Sequence, residues 1–503
     1  MKPQISIVIG SMLFAATVAH ADVVISTKPT RNMTCDAGGC SPTATDAVLN
    51  ATELVNMLGD GDVKVTTGSG ATSIVVKATL GWTGTSRLTL DAIQSVEIDK
   101  PVMVTGTGAM TITTNDGGAG GDFIFDGTGN VTFWDLQSSL IVNGNGYTLA
   151  GDIATLASDI DNNPSGFYAL ANDYDASVDG TYTVAPVTAI FKGIFEGLGH
   201  TIANLRVNSS SYAAGLFAEA SGTLRDIGLP HVAITGSSQF VGSLLGDSDN
   251  ANIVGCYATG SVVLADGSIV VGGLVGSGIG GTIARSHAAV AVRAESAGEV
   301  GGLVGGSTSA ISRSYATGTV KAGDNAFAGG LVGGTPTALH GSVSESYATG
   351  DVTAGEKSKV GGLVGSGSSS DITNAYATGA VKGGTTTSVG GLAGQIAFMH
   401  IQNSYSTGHI KGGVKNASRG GFVGYAGGGD DELGADYWDT DTSGTSPRQG
   451  FGTCDDNRCK RAVKGLTTEE FQAGLPDGFD PNIWGEKTGI NNGHPYLIAL
   501  PPK

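Results

Sequence analysis

Charged and aromatic residues are scarce in this 503-residue chain. Charged residues make up 14% of it and aromatic residues 6%, against about 25% charged residues in an ordinary globular protein. Hydrophobic residues nevertheless reach 40%, so the composition is not that of a disordered chain. The 83 glycines and the many β-branched residues predict short strands joined by tight turns.

Basic residues are few, with 27 Lys and Arg against 45 Asp and Glu, and the net charge is −18. An acidic surface repels phosphate backbones and anionic lipids, so nucleic acid and membrane surfaces are not expected partners. The charge is explained by solubility in an exported protein.

Long apolar runs are missing after the first 21 residues. The opening MKPQISIVIGSMLFAATVAHA combines Lys2, a short apolar stretch and the small-x-small end Ala19-His20-Ala21. This pattern predicts a cleaved secretory signal over residues 1–21, with no membrane span remaining. We therefore expect an exported protein, secreted or on the cell surface of a Gram-negative-type bacterium, with the periplasm as the alternative.

Only five cysteines are present. Cys35 and Cys40 share their spacing with Cys454 and Cys459, and local disulfides are the expected use of such pairs in an exported chain. Metal binding and free thiols are the alternatives. Cys256 replaces a small residue of the repeat described below, which predicts a buried, inert thiol.

Residues 215–424 contain an internal repeat with a period of 28 to 32 residues. Its first landmark is GGLVG or a close variant, and its second is YATG or a close variant. An aliphatic residue lies four positions before each aromatic residue of YATG, and another lies five positions after it. The central landmark residues are Leu274, Leu303, Leu331, Leu363, Tyr257, Tyr315, Tyr347, Tyr376 and Tyr405.

A period near thirty indicates a repeat architecture. Helical repeats would need long 3.6-residue periodicity, and a propeller blade needs about 40 residues. Three short strands and three bends per period fit a parallel β-helix, so we predict an all-β, right-handed solenoid with small capping helices. Stacked Leu, Ile and Val would fill its bore.

The two flanking aliphatic positions differ in parity, so a straight strand cannot direct both into the bore. A bend at the glycine three residues after the aromatic residue resolves this, and it predicts corners at Gly260, Gly318, Gly350, Gly379 and Gly408. The pattern leaves open whether the tyrosines face the bore or the outside. Structural stacking is favoured over ligand binding for them.

The pairing of GGLVG with I-x-x-SYATG-x-V resembles the GLUG motif of filamentous-haemagglutinin-like bacterial surface proteins and of some immunoglobulin A-cleaving peptidases. FKGIFEGLGHTIANLRV, from Phe191, is similar to the lead-in coil of such proteins, and the segment from Leu80 to Thr114 resembles a haemagglutinin stalk. The resemblance implies a β-helical surface protein of adhesin type. The chain lacks HExxH, so it does not imply peptidase activity.

The sequence predicts five regions. They are a signal peptide at 1–21, a disulfide-tied N-terminal segment with a capping helix at 22–62, a stalk-like β-helix at 63–185 with a polar insertion at 159–185, the repeat β-helix at 186–427 and a C-terminal cap at 428–503. The capping helix is expected over Asp46 to Leu58, ending at Gly59, and Thr467-x-x-Glu470 predicts a capping box.

A polysaccharide-acting lyase or hydrolase on the same fold is the alternative to a binding protein. Hydrolysis needs two carboxylates about 5 to 10 Å apart. The sequence offers acids that are better explained as turn residues, namely Asp173, Asp175, Asp179, Asp430, Asp431 and Glu432. We predict no catalytic residues and no cofactor, and clustered acids in one groove would favour the enzyme.

Calcium is the minor hypothesis for a metal. Asp439-x-Asp441-x-Ser443 opens like an EF-hand loop, but Gly450 stands where a bidentate Glu is needed. Asp159-x-Asp161-x-Asn163 has the same opening. The function predicted overall is a non-catalytic, secreted or surface-displayed rod of adhesin type, which engages glycans or host matrix through a repetitive face. The sequence does not determine its oligomeric state.

Overall fold

The computed structural model describes residues 22–118, 120–264, 269–295, 298–334, 341–412, 418–427, 431–455 and 463–502. Strands make up about 50% of the chain and helices about 8%, and the strands wind into a parallel β-solenoid of about 14 turns. The predicted parallel β-helix is thereby confirmed. The predicted signal peptide lies outside the described residues.

The N-terminal solenoid stacks three columns of parallel strands, joined by a short antiparallel hairpin at its start. One column contains Ala47–Asn50, Asp22–Ser26, Ser73–Val76, Val96–Ile98 and Phe123–Phe125. The second contains Leu80–Trp82, Val102–Val104 and Val131–Phe133. The third contains Met33–Asp36, Gly39–Pro42, Val63–Thr66, Arg87–Asp91, Ala109–Thr113 and Ser139–Val142.

A junction region connects this solenoid to the repeats. Its strands are Asn145–Ala150, Phe167–Leu170, Tyr174–Asp175, Ile194–Glu196, Ile202–Ala203 and Arg206–Ser209. In Phe167–Leu170, Tyr168 and Leu170 point into the core of the repeats, whereas Ala169 points into the N-terminal core. Both faces of this strand are buried, so the two solenoid cores meet across it.

The repeat coils also stack three groups of parallel strands. The strands before and within the YATG motif are Thr223–Arg225, Gly228–Gly236, Asn252–Val254, Tyr257–Leu264, Thr282–Ala284, His287–Ala294, Ala310–Ser312, Tyr315–Ala316, Ser342–Ala348, Asp371–Ala377, His400–Gln402, Tyr405–Ser406, Glu432–Gly434, Asp436–Asp439 and Val463–Leu466. After the corner come Val320–Ala322, Val352–Thr353, Val381–Gly383 and Ile410–Gly412.

The strands that flank GGLVG form the other two sheets. Before it lie Ala213–Ala214, Phe240–Val241, Val270–Gly272, Glu299–Gly301, Phe327–Gly329, Lys359–Gly361, Ser388–Gly390 and Ser418–Gly420. After it lie Phe217–Ala220, Leu245–Asp249, Val275–Ile279, Val304–Ser307, Val332–Gly334, Val364–Ser368, Ala393–Ala397, Val423–Ala426 and Phe451–Cys454. The C-terminal segment adds the antiparallel pair Trp484–Gly485 and Tyr496–Leu497.

The bore is filled as the repeat pattern predicted. Leu274, Leu303, Leu331 and Leu363 are fully buried in one continuous core with the flanking Ile and Val columns. The corner predicted at Gly260 was wrong, because Gly260 lies inside the strand Tyr257–Leu264. The chain does bend at Gly350, between Ala348 and Val352, where a Cβ would collide with the main-chain oxygen of Gly318 on the neighbouring coil. The corner glycine is therefore required by close approach of two backbones.

The α-helices are Ala51–Asp60, Ile153–Asn162, Thr440–Ser443 and Thr468–Phe471, and short 3₁₀ turns occupy Asp116–Gly118, Ala176–Asp179 and Asn491–Gly493. The capping box at Thr467 is confirmed. The predicted start and end of the first helix were wrong. Residues 47–50 extend a sheet, Asn50 caps the helix by accepting from the N–H groups of Thr52 and Glu53, and Gly59 lies inside the helix.

The polar insertion predicted at 159–185 was also wrong. Its first residues complete the helix Ile153–Asn162, which buries Ile160. Phe167–Leu170 then joins the main sheet, and Tyr174–Asp175 pairs with Ile202–Ala203. The buried apolar residues between the acids outweigh the polar composition that suggested a loop. Among the described residues, no helix is long and apolar enough to cross a membrane.

Candidate functional site

The aromatic residues of the YATG motif form one stack along the outside of the solenoid. The rings of Tyr257, His287, Tyr315, Tyr347, Tyr376 and Tyr405 follow one another with centroid distances of 4.5–5.1 Å and interplanar angles of 5–11°. Ala348, the residue after Tyr347, points into the bore, whereas Tyr347 belongs to a separate core. The orientation that the sequence left open is therefore outward.

The C-terminal segment covers the later part of this tyrosine ladder. Leu466, Phe471, Phe479, Trp484 and Leu497 pack with the ladder from Tyr315 to Tyr437 in one apolar cluster. The Tyr437 hydroxyl group donates to the main-chain oxygen of Asp477 at 2.8 Å. These contacts make a second hydrophobic core outside the bore, with aromatic side chains meeting the ladder at an angle.

The early part of the ladder lines a surface groove with a volume of about 910 Å³. The floor follows Thr201, Gly228, Tyr257, His287 and Tyr315, which are paired in register from coil to coil. Four steps between stacked strands span about 19 Å. Residues 124–130 of the N-terminal solenoid and residues 499–501 form walls. We call this the junction groove.

The floor of the junction groove presents ring edges and polar groups. Because the rings lie face to face, their faces are covered by one another and their edges face the groove. Arg285 and Arg313 lie two residues before His287 and Tyr315 and also line the groove. Ring edges, hydroxyl groups and guanidinium groups together give the groove floor both hydrogen-bond donors and acceptors.

The charged side chains that line the groove contact oppositely charged or hydrogen-bonding side chains nearby. Arg285 contacts the Asp122 carboxylate at 2.6 Å, and Arg313 contacts that of Glu345 at 3.1 Å. His200 is buried with Nδ1 3.4 Å from the Asp173 oxygen. Interaction with this imidazole and with Thr201 lowers the pKa of Asp173 to about 2. Asp173 is thus an ionised, positioned carboxylate in the groove.

A buried ionic cluster supports the groove from below. Arg225 contacts Glu196 at 3.0 Å, Asp226 at 2.9 Å and Asp122 at 2.8 Å. Burial raises the pKa of Glu196 well above its usual range, although Arg225 opposes the shift. Burial likewise raises the pKa of Asp226 to about 6. Since Asp122 also contacts Arg285, the cluster ties the N-terminal solenoid to two repeat coils.

Three carboxylates meet beside the junction groove. Glu97, Asp99 and Asp126 each place an oxygen within 4.8 Å of the others. Burial, followed by the charge of Asp99, raises the pKa of Glu97. Carboxylate oxygens are the ligands that calcium prefers, so among the described residues this group is the one with the donors for a cation. This group was not predicted from the sequence, although EID at 97–99 and IFD at 124–126 lie one coil apart.

The acids singled out from the sequence are distributed differently. Asp173 lines the groove, but Asp175 caps the turn Ala176–Asp179, and Asp179 accepts the hydroxyl hydrogens of Tyr174 and Tyr182. Asp431 accepts from the Met399 N–H, and Glu432 lies exposed on an edge strand. Asp430 lies outside the described residues.

The segment predicted to open a calcium loop is a capped helical turn. Asp439 caps the helix Thr440–Ser443 through one oxygen, and its other oxygen accepts from Thr468 and His494. Protein donors therefore contact both oxygens of the Asp439 carboxylate, and calcium binding by Asp439, Asp441 and Ser443 stays a prediction. Asp159 and Asp161 lie in a helix rather than in a loop.

The cysteine predictions are met as far as the structure describes them. Cys35 and Cys40 form a disulfide across the antiparallel hairpin. Cys459 lies outside the described residues, so its pairing with Cys454 stays a prediction. Cys256 is free and buried, and burial raises the pKa of its thiol to about 12.

The repeat is similar in sequence to a known motif and to one known protein, and the chain has been compared with a solved structure. Residues 358–382 match the model of the GLUG motif. Halomucin of Haloquadratum walsbyi is 29% identical over 251 residues, which are 48% of this chain and only 2% of halomucin. A Bacteroides ovatus protein assigned as an immunoglobulin A1 protease has a solved structure that superimposes with a TM-score of 0.39 at 19% identity, over 71% of this chain and 92% of that one. Residues 358–382 therefore carry the GLUG motif, as the GGLVG and YATG pattern predicted.

Proposed function

We propose that this protein is a secreted or surface-displayed binding protein of adhesin type, which holds glycan chains in the junction groove without cleaving them. The observation that carries the proposal is the groove floor, where Tyr257, His287 and Tyr315 repeat at one position per coil. A linear polymer of hydroxyl-rich units is the ligand that matches such a repeated row of polar edges. The predicted signal peptide and the GLUG repeats support display outside the cell.

A glycan array probed with the full-length chain, with and without calcium, tests the proposal. We expect binding to linear glycans that Arg313→Gln weakens about tenfold or more, because a charged donor in the groove is lost. Arg206→Gln is the matched control, since Arg206 is exposed on another strand and does not line the groove. Equal binding by both variants would remove the groove from the proposal.

A polysaccharide-acting hydrolase is the second candidate, and the carboxylates beside the groove favour it. Glycoside hydrolysis uses one protonated and one ionised carboxyl group. Burial raises the pKa of Glu97, which would be the acid, and an oxygen of the exposed Asp126 lies within 4.8 Å of an oxygen of Glu97. The test is release of oligosaccharides from a polysaccharide substrate. If Glu97→Gln and Asp126→Asn abolish this release, and Asp161→Asn at the exposed end of a helix does not, the hydrolase replaces the binding proposal.

A further inference from the structure

A column of basic side chains runs along the outer face of the repeat coils, away from the junction groove. Arg293, Lys321, Thr353, Lys382 and Lys411 pair in register on five consecutive coils. The residue before each of them points into the bore, so these five point outward. The four basic side chains are exposed.

Stacking of like charges is unfavourable in this column. Arg293 lies directly opposite Lys321, and Lys382 lies directly opposite Lys411. Adjacent strands are about 4.8 Å apart, and like charges placed directly opposite one another destabilise a sheet. In a chain with only 27 basic residues and a net charge of −18, this concentration of positive charge is not accounted for by folding or by solubility.

Few acids balance the column. Glu295 pairs with Arg293, and this contact together with the charge of Lys321 lowers the pKa of Glu295. Asp324 lines the same surface depression as Lys321, and Asp351 lies two residues before Thr353. No carboxylate of the described residues forms an ion pair with Lys321, Lys382 or Lys411. Three ammonium groups therefore remain available along the face, at separations of about 4.8 and 9.6 Å.

We infer that this basic column binds a linear acidic polysaccharide, such as a polyuronate, laid along the solenoid axis. Successive sugar rings advance by a length close to the spacing of stacked strands, so carboxylates along the chain can meet ammonium groups on successive coils. Duplex DNA carries one negative charge per about 1.7 Å, which is far denser than the column.

The column site is separate from the junction groove, so the two proposals can fail independently. Its test is isothermal titration of the full-length chain with polygalacturonate and, as neutral polymer, dextran. We expect polygalacturonate to bind and dextran not to, with affinity falling as salt rises. The double variant Lys382→Gln/Lys411→Gln should weaken binding about tenfold or more, because two of the three free ammonium groups are lost.

The matched control is Lys28→Gln/Lys192→Gln, which removes the same charge from exposed positions elsewhere. This control should bind within about twofold of the unaltered chain. The melting temperature checks folding, and the column variant should match or exceed the unaltered chain because a like-charge pair is removed. Equal weakening by both double variants, no binding of polygalacturonate, or tighter binding of duplex DNA would each overturn the inference.

Discussion

The Tyr405 hydroxyl group donates a hydrogen bond to the main-chain oxygen of Pro495 across 2.6 Å. These residues stand 90 positions apart, and their contact joins the outer ladder of the solenoid to the segment that covers it. Asn491 donates to the same hydroxyl oxygen at 2.6 Å. The covering segment is therefore bound to the ladder both by apolar packing and by hydrogen bonds made at the ring edges.

Trp484 anchors the covering segment, residues 463–502, and loss of its side chain should release this segment from the ladder. The side chain is 1% exposed, lies 5.9 Å from the Tyr405 ring and donates to Asn374 at 3.1 Å. We expect Trp484→Ala to destabilise the cover by about 3–5 kcal/mol. Hydrogen exchange should show faster exchange over residues 463–502 with the bore strands unchanged.

Trp134→Ala is the control, because Trp134 is 69% exposed. Its free energy of unfolding should change by about 0.5 kcal/mol or less. Faster exchange throughout the repeat coils of Trp484→Ala would mean that the cover and the solenoid unfold as one unit.

The ring stack predicts how substitutions of His287 change the stability of the protein. The imidazole stacks between Tyr257 at 5.0 Å and Tyr315 at 4.5 Å, in a position that tyrosine holds in four later coils of the stack. We expect His287→Tyr to be tolerated or to raise the melting temperature, whereas His287→Ala should cost about 1–3 kcal/mol by opening a gap in the stack. A larger loss in the tyrosine variant than in the alanine variant would contradict the stacking argument.

The filling of the bore could be predicted from sequence because each coil repeats the same inward-pointing positions, such as Leu303 and Val320. The place where the chain changes side could not be predicted. It lies two residues before the aromatic residue, where Arg313 and Glu345 have left-handed backbone conformations, and not at the glycine that follows the motif. The orientation of Tyr376 could not be predicted, because the segment that buries it from outside lies about a hundred residues further along and has no repeat of its own.

The junction groove was missed for a related reason. Glu97 and Asp126 come together through the stacking of two coils without any shared motif. The ion pair between Asp122 and Arg225 spans 103 residues. The predicted helix end at Gly59 was wrong. Glycine often follows the last residue of a helix, but Gly59 lies inside the helix Ala51–Asp60.

Gly350 and Gly59 differ in whether the surrounding structure leaves room for a side chain. At Gly350, an added Cβ would collide with the main-chain oxygen of Gly318. At Gly59, inside the first helix, an added Cβ meets nothing within 4 Å. We expect Gly350→Ala to lower the melting temperature strongly, because two coils must separate. Gly59→Ala should stabilise the chain by about 0.5–1 kcal/mol. Similar effects of both substitutions on the melting temperature would contradict this distinction.

The buried cluster around Arg225 predicts a stability defect that depends on pH. Arg225 is the cation that faces Glu196 and Asp226, both of them buried. Removing one partner from a buried ion pair costs about 3–5 kcal/mol, so Arg225→Met should be strongly destabilising at pH 7.5. Arg206→Met, at an exposed position, should have little effect.

The sign of the pH dependence follows from the two buried acids. Burial raises the pKa of Glu196 well above its usual range and that of Asp226 to about 6. Folding therefore takes up protons, and stability increases as pH falls through these folded pKa values. Without Arg225 both pKa values rise further, so protonation relieves more of the cost. The deficit of Arg225→Met, measured by urea unfolding, should shrink between pH 7.5 and pH 5. A deficit that stays constant or grows over this interval would mean that Arg225 stabilises the junction through packing or through Asp122 rather than by neutralising the buried acids.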